Sequence, residues 1–137
     1  HKANSNSYYF SVPPEAIEAV VARLQQNNYL NDAEFGRAWV ASRSRQNPKG
    51  RQALRYELQQ KGLSRNDIEQ ALQDLDEEQL AWQAAQKQLS RWKKLDEPTF
   101  RRKLHAYLAR RGFAYDIIQT TVYRAWNSNT DSNERNN

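Results

Sequence analysis

A pattern that recurs after 50 residues constrains the fold of this 137-residue chain more than any other feature. Each copy has an apolar helix stripe, a basic residue followed by glycine, and a second apolar stripe, as residues 54–72 and 104–122 show. The glycine, Gly62 or Gly112, can take the left-handed conformation that ends a helix. A helix pair of this size cannot bury its apolar face alone, so we expect adjacent copies to stack.

The spacing of apolar residues predicts helices along the whole chain. Ile17, Val20, Val21 and Leu24 fall at i, i+3, i+4 and i+7, which is one helix face. No segment alternates with the period of two that a half-buried strand requires. The predicted helices span about 13–26, 31–45, 51–61, 65–75, 77–93, 97–111 and 115–127. The fold class is therefore all-α, with tandem three-helix repeats stacked into an elongated body.

These repeats predict the domain boundaries. Residues 1–12 are a flexible start or a vector remnant, 13–48 a partial first repeat, 49–95 a second repeat, 96–127 a two-helix third repeat, and 128–137 a disordered tail. Because the chain starts without Met and the first repeat lacks its opening helix, we expect an upstream piece to be missing. The chain has no cysteine, which excludes disulfides, and no apolar run of membrane-spanning length. We expect a cytoplasmic monomer that does not enter a membrane.

Charge is sorted into blocks. Residues 37–61 hold seven Lys and Arg against one acid, residues 67–78 hold six acids and no base, and residues 87–111 hold nine bases against two acids. The net charge is +5. Such a distribution favours a polyanion or an acidic protein surface as the partner.

The basic blocks supply two sets of candidate partner-binding residues. Arginine pairs carboxylates and phosphates through two parallel hydrogen bonds, and none of the five candidates in the first block has an acid at the i,i+4 spacing. The alternative is a solvated helix face, and for the second set both interpretations stay open. We expect Lys61 and Arg111 to act at helix ends. The first set is Arg43, Arg45, Lys49, Arg51 and Arg55, and the second is Arg91, Lys93, Lys94, Arg101, Arg102 and Lys103.

Catalytic and metal chemistry find no support in the residue types. The chain has two histidines, no cysteine and no glycine-rich phosphate loop. We interpret His105 as structural and the acids at 74–78 as a helix start. We therefore predict no catalytic residue, cofactor or metal. Trp39, Trp82, Trp92 and Trp126 lie on apolar stripes and are predicted to be core, with an exposed Trp92 ring for base stacking as the alternative.

Several motifs follow one another in a fixed order. They are Leu30-Asn31-Asp32-x-x-Phe35, Ser42-Arg43-Ser44-Arg45, Gly50, Arg55-x-Glu57-Leu58-x-x-Lys61-Gly62-Leu63-Ser64, Tyr107-Leu108-x-x-Arg111-Gly112-Phe113 and Asp116-Ile117-Ile118. Over residues 13–127, this ordered set resembles the RecX family of bacterial regulators of the RecA recombinase. The chain departs from the family pattern at Ala53, where the family usually has arginine.

The resemblance implies helix-turn-helix-like repeats in a curved body. It also implies a non-enzymatic protein that binds RecA and the RecA filament on single-stranded DNA. Such a protein inhibits ATP hydrolysis and strand exchange, and so modulates DNA repair, recombination and the SOS response. Two other classes stay open. One is a module that binds DNA directly, with a steep salt dependence, and the other is a scaffold that binds another protein without altering its activity.

Overall fold

The computed structural model describes residues 31–135, together with Ala19. From residue 31 onward these residues form six α-helices and no strand, which confirms the all-α prediction. The first predicted helix, 13–26, and the predicted flexible start lie outside the described residues. The helices are α1 (Asp32–Gln46), α2 (Arg51–Gln60), α3 (Arg65–Leu72), α4 (Glu77–Leu89), α5 (Glu97–Arg110) and α6 (Tyr115–Arg135).

Short polar side chains and glycines fix the ends of these helices. Asn31 accepts a hydrogen bond from the Glu34 N–H at 2.8 Å, and Ser64 and Asp96 cap α3 and α5 in the same way. Each cap satisfies a backbone N–H that has no partner inside its helix. Both predicted stop glycines have positive φ angles, 85° at Gly62 and 84° at its repeat equivalent. The local signals in the sequence therefore place most helix ends correctly.

The helices divide into two compact units. The first unit contains residues 31–47 and Leu54–Leu75, which give α1, α3 and most of α2. Its core is a single apolar cluster that includes Phe35, Trp39, Leu58 and Leu72. Helix α3 packs closely on α1 because Gly36 has no side chain; a Cβ there would lie 2.9 Å from the Ala71 Cβ.

The second unit contains α4, α5 and α6 together with the segment Pro48–Ala53, which we call the strap. The strap hydrogen-bonds to the turn between α5 and α6, with the Gly50 N–H donating to the Arg111 carbonyl at 2.8 Å. Glu77 Oε2 accepts hydrogen bonds from the backbone N–H groups of Arg51 (3.1 Å) and Ala114 (3.3 Å). One carboxylate thus satisfies free donors at the N-terminal ends of both α2 and α6.

The structure differs from the predicted domain boundaries in two places. The predicted repeats at 49–95 and 96–127 do not coincide with the two units, because α1 packs with α3 and α4 packs with α6. Helix α6 also continues to Arg135, so the prediction of a disordered tail is wrong for residues 128–135. The buried face of α6 extends through Ala125 to Asn129, and that asparagine was not recognisable as a buried residue because it is polar.

No helix in the part of the chain that the structure describes combines the length and the apolar character needed to cross a membrane.

Candidate partner-binding surface

In the first unit, the predicted partner-binding residue Arg43 is held by two neighbours. Trp39 is 3% exposed and its Nε1 donates to Glu57 Oε1 at 2.7 Å. Arg43 Nε donates to the same oxygen at 3.3 Å, and its guanidinium lies 4.6 Å from the centre of the Trp39 ring. Lys61 approaches this ring as well, with its Nζ 5.0 Å from the centre. Arg43 is therefore part of the packing between α1 and α2.

Arg55 is also paired within the fold. Its guanidinium contacts the carboxylate of Glu69 on α3, with Nε 3.1 Å from Oε1. This pair spans 14 residues, and so does the pair of Arg43 with Glu57. An acid at the i,i+4 spacing can be recognised in the sequence, but both of these partners lie too far along the chain to be predicted in that way.

The first basic block is divided between the two units. Arg45 is exposed in the last turn of α1, whereas Lys49 and Arg51 belong to the strap of the second unit. Among the described residues, the first unit has six basic residues (Lys or Arg) and six acidic residues (Asp or Glu). Residues 48–53 and 76–131 of the second unit contain twelve basic and seven acidic residues. The excess positive charge therefore lies in the second unit.

Most of the second predicted set surrounds an aromatic contact in this unit. Arg91, Lys93 and Lys94 are exposed in the turn that follows α4. The Trp92 ring in this turn meets the Tyr107 ring edge-on, with centres 6.0 Å apart. Because α5 brings residues four apart onto one face, the exposed Lys103 lies one turn from Tyr107 on the same side. We call Arg91, Lys93, Lys94 and Lys103 the basic turn surface.

The side chains of the basic turn surface differ from Arg43 and Arg55 in one respect. Among the residues that the structure describes, none of the four forms an ion pair with an acidic side chain. A flexible, exposed lysine or arginine of this kind can reorient toward an incoming carboxylate or phosphate without first breaking an internal contact.

The remaining members of the second set lie elsewhere on α5. Arg101 Nε pairs with Glu97 Oε1 one turn earlier, at 2.9 Å. Arg102 is exposed. The hydrogen bond from the Thr99 side chain lowers the pKa of the Asp96 carboxyl, and the positive charge of Arg102 contributes in the same direction.

An open pocket of about 780 Å³ lies in the first unit between α2 and α3. Buried Leu63 and Ile68 form its apolar part, and Arg55, Arg65 and Glu69 form its polar rim. The Arg55–Glu69 pair neutralises much of this rim, so the pocket has little net charge to offer a ligand.

Three predictions about single side chains can be compared with their surroundings. Trp39 is core, as predicted, whereas Trp82, Trp92 and Trp126 are half-buried. His105 is half-buried with its ring centre 5.8 Å from that of Tyr115. Within the described ranges, no group of three His, Asp or Glu side chains is arranged to hold a metal ion.

Comparisons with known proteins agree with this architecture. Models of the second and third three-helix domains of RecX match residues 31–72 and 76–122. The Regulatory protein RecX of Chlorobium phaeobacteroides (strain BS1) is 39% identical over 113 residues, which are 82% of this chain and 74% of that protein. The one from Prosthecochloris aestuarii is 40% identical over 108 residues, or 79% and 71% of the two chains. The Bacillus subtilis protein of the same name is 31% identical over 125 residues, 89% of this chain and 47% of that protein.

The helices define a protein of tandem three-helix domains with a basic second unit. The matches cover both of these domains and most of the chain, and the chain belongs to the RecX family of regulatory proteins. No solved structure matches it.

Proposed function

We propose that this chain is a non-enzymatic cytoplasmic regulator that binds RecA and the RecA filament on single-stranded DNA. Bound as a monomer, it inhibits ATP hydrolysis and recombination by the filament. The observation that carries the proposal is the match of both three-helix domains to relatives named regulatory protein RecX.

The basic turn surface is the part of the molecule best suited to the contact. The charges of the first unit are balanced, and Arg43 and Arg55 are engaged with Glu57 and Glu69. The second unit has an excess of positive charge. Acidic side chains of RecA or phosphates of the filament would therefore meet the second unit first. The further candidates in this proposal are Arg45, Lys49, Arg51, Arg101 and Arg102.

The test is the rate of DNA-dependent ATP hydrolysis by RecA as this protein is added. A protein that inhibited only by covering the DNA would lose its effect when excess bare DNA was added. Inhibition that persists in excess bare DNA therefore supports regulation of the filament. Inhibition that vanishes with excess DNA, or no inhibition, contradicts the proposal.

Two charge-reversed variants then locate the contact. Replacing Lys93 and Lys94 by Glu should raise the concentration needed for half-inhibition at least about tenfold. The matched variant carries Arg37→Glu and Arg65→Glu, which reverse exposed arginines of the first unit, and it should inhibit like the parent. Equal losses in both would mean that net charge alone controls binding.

A second candidate is direct binding to DNA, which the positive charge of the second unit favours. It predicts that affinity for bare DNA falls steeply with salt, since each neutralised phosphate releases a counterion. A third outcome, binding to RecA without any change in ATP hydrolysis, would indicate a scaffold.

A further inference from the structure

The second unit carries two tyrosine rings that are largely exposed. Tyr115 is 67% exposed and Tyr123 is 62% exposed, and both belong to α6. They are eight residues apart, which places them on one side of the helix and about 12 Å apart along its axis. Gln119 lies between them, one turn from each. We call these three side chains the tyrosine stripe.

The Tyr115 ring is fixed in place although it is exposed. Gln119 Nε2 donates to its hydroxyl at 2.5 Å, and the His105 ring meets it at a steep angle. A ring that is held in this way loses little conformational freedom when a flat ligand stacks on it. Among the described residues, Tyr123 has no aromatic neighbour, so its face is open.

Positive charge lies beside the tyrosine stripe. Contacts of His105 with Tyr115 and of Phe100 with Trp126 hold α5 alongside α6. Arg101 is four residues before His105 and therefore on the same face of α5, where its Nε pairs with Glu97 Oε1 at 2.9 Å. Arg102 follows it, is exposed and forms no ion pair with an acidic side chain among the described residues. A ligand on the stripe would thus meet aromatic faces with Arg102 as the nearby cation that has no internal ion pair.

We propose that the tyrosine stripe stacks the bases of a single-stranded nucleic acid. Such a strand presents unpaired π-faces and a row of phosphates, and proteins bind it by combining exposed aromatic rings with a positively charged border. An acidic protein would use the cations and leave the rings without a role. The site is separate from the basic turn surface, and it needs no RecA.

The experiment measures binding of a fluorescent oligothymidylate by anisotropy, in the absence of RecA. The double variant Tyr115→Ala, Tyr123→Ala should lose about five- to hundredfold in affinity for each ring that stacks. Tyr115→Phe with Tyr123→Phe keeps both rings and should bind like the parent. The matched control is Tyr56→Ala, which removes a ring that is 63% exposed in the first unit and should change nothing.

Three further measurements separate the interpretations. The alanine variant should keep the parent's slope of affinity against salt, because its phosphate contacts remain. An abasic oligonucleotide of equal length should bind the parent more weakly than oligothymidylate, and an oligouridylate arm shows whether RNA is bound as well. Equal binding of the abasic strand, no loss in the alanine variant, or an equal loss in Tyr56→Ala would overturn the proposal. The proposal would also be overturned if the alanine variant bound polyglutamate more weakly than the parent but bound oligothymidylate equally well.

Discussion

The two units share one plan of helices and differ in how they use it. Their second and third helices match at a spacing of 50 residues, and their stop glycines have φ angles of 85° and 84°. Leu58 and Leu108 are fully buried at matching positions, and so are Leu54 and Leu104. The apolar framework is thus the same in both, and the functional differences must come from the polar and aromatic residues around it.

The packing of the first two helices in each unit shows the clearest difference. In both units the basic residue before the stop glycine lies over an aromatic ring, Lys61 over Trp39 and Arg111 over Tyr107. The first unit takes this ring from its first helix, whereas the second takes it from its second helix. Counted from the N-cap residues Asn31 and Asp76, the position of α4 that matches Trp39 is the buried Ala84. Both units therefore contain a contact between a basic side chain and an aromatic ring, but the ring comes from a different helix in each unit.

Charge is the second difference. Six basic residues face six acids in the described part of the first unit, and twelve face seven in that of the second. A balanced surface with internal ion pairs suits a structural role, and an excess of positive charge suits a contact with a polyanion or acidic partner. Each prediction below changes one of these differences.

Trp39→Ala gives the first unit the residue that the second unit has, and it should cause the largest loss. We expect the free energy of unfolding to fall by about 3–5 kcal/mol, because α1 and α2 are spaced for a large ring. Urea denaturation followed by far-ultraviolet circular dichroism measures this loss. Trp39→Phe is the control, and its cost should be smaller because a ring remains. Similar values for the two variants would mean that the cavity closes, and that the units are interchangeable here.

Gly112→Ala and Gly62→Ala compare the two stop glycines. Both alanines would occupy the left-handed conformation, at a cost of about 1–2 kcal/mol. A Cβ at Gly62 has open space around it, whereas a Cβ at Gly112 would overlap the backbone of Ala53 in the strap. We therefore expect Gly112→Ala to cost about 1–3 kcal/mol more than Gly62→Ala. Equal losses in urea denaturation would show that the strap moves aside easily.

Ala53 forms part of the close contact between the strap and Gly112. A small side chain at this position lies against Gly112, where the strap meets the turn between α5 and α6. The close approach of Gly50 to the same turn depends on the absence of a side chain in a similar way, since a Cβ there would overlap the Gly112 carbonyl.

The parts of this fold that the sequence predicted are those set by near neighbours in the chain. Asn31, Ser64 and Asp96 each bond an N–H three residues later, and the pattern of such a cap is visible in any short window. The stop glycines and the apolar stripes are local in the same sense. These signals were sufficient for the helices and for the all-α class.

The missed features depend on contacts between distant residues. Glu57 receives the Trp39 N–H across 18 residues, and this contact turns Arg43 from a free surface arginine into a packed one. The grouping of α1 with α3 likewise cannot be read from a repeat that starts at α2. Tyr115 and Tyr123 lie outside both basic blocks of the sequence and were therefore not among the predicted partner-binding residues.

Glu57→Gln tests whether the internal ion pair is what distinguishes the first unit. The amide can still accept one hydrogen bond but it cannot pair with a cation, so we expect a loss of about 1–3 kcal/mol. Glu69→Gln is the matched control on the more exposed pair with Arg55, and its cost should be at most about 1 kcal/mol. A chemical-denaturation series on both variants decides between them. Equal and small losses would leave Trp39 packing alone as the difference.

The smallest expected effect is on the pH dependence of stability. The helix N-caps of the two units should respond differently when the pH is lowered. Asn31 and Ser64 in the first unit are neutral, whereas Asp76 and Asp96 in the second carry ionisable carboxyls. The Thr99 hydrogen bond lowers the pKa of Asp96 below its usual 3.8. Its contribution to stability is therefore present above that value and is lost as the pH falls through the lower, folded pKa.

Carbon-detected NMR titration of the Asp96 carboxyl should show a midpoint below 3.8. Asp96→Asn keeps a hydrogen-bond acceptor at the N-cap but removes the ionisable carboxyl. In this variant, the contribution of the cap to the free energy of unfolding should therefore not depend on pH. As the pH is lowered, the free energy of unfolding of the parent should therefore fall relative to that of the variant. A titration midpoint at or above 3.8 would mean that the cap does not favour the ionised carboxyl, and that acid does not distinguish the two units at this position.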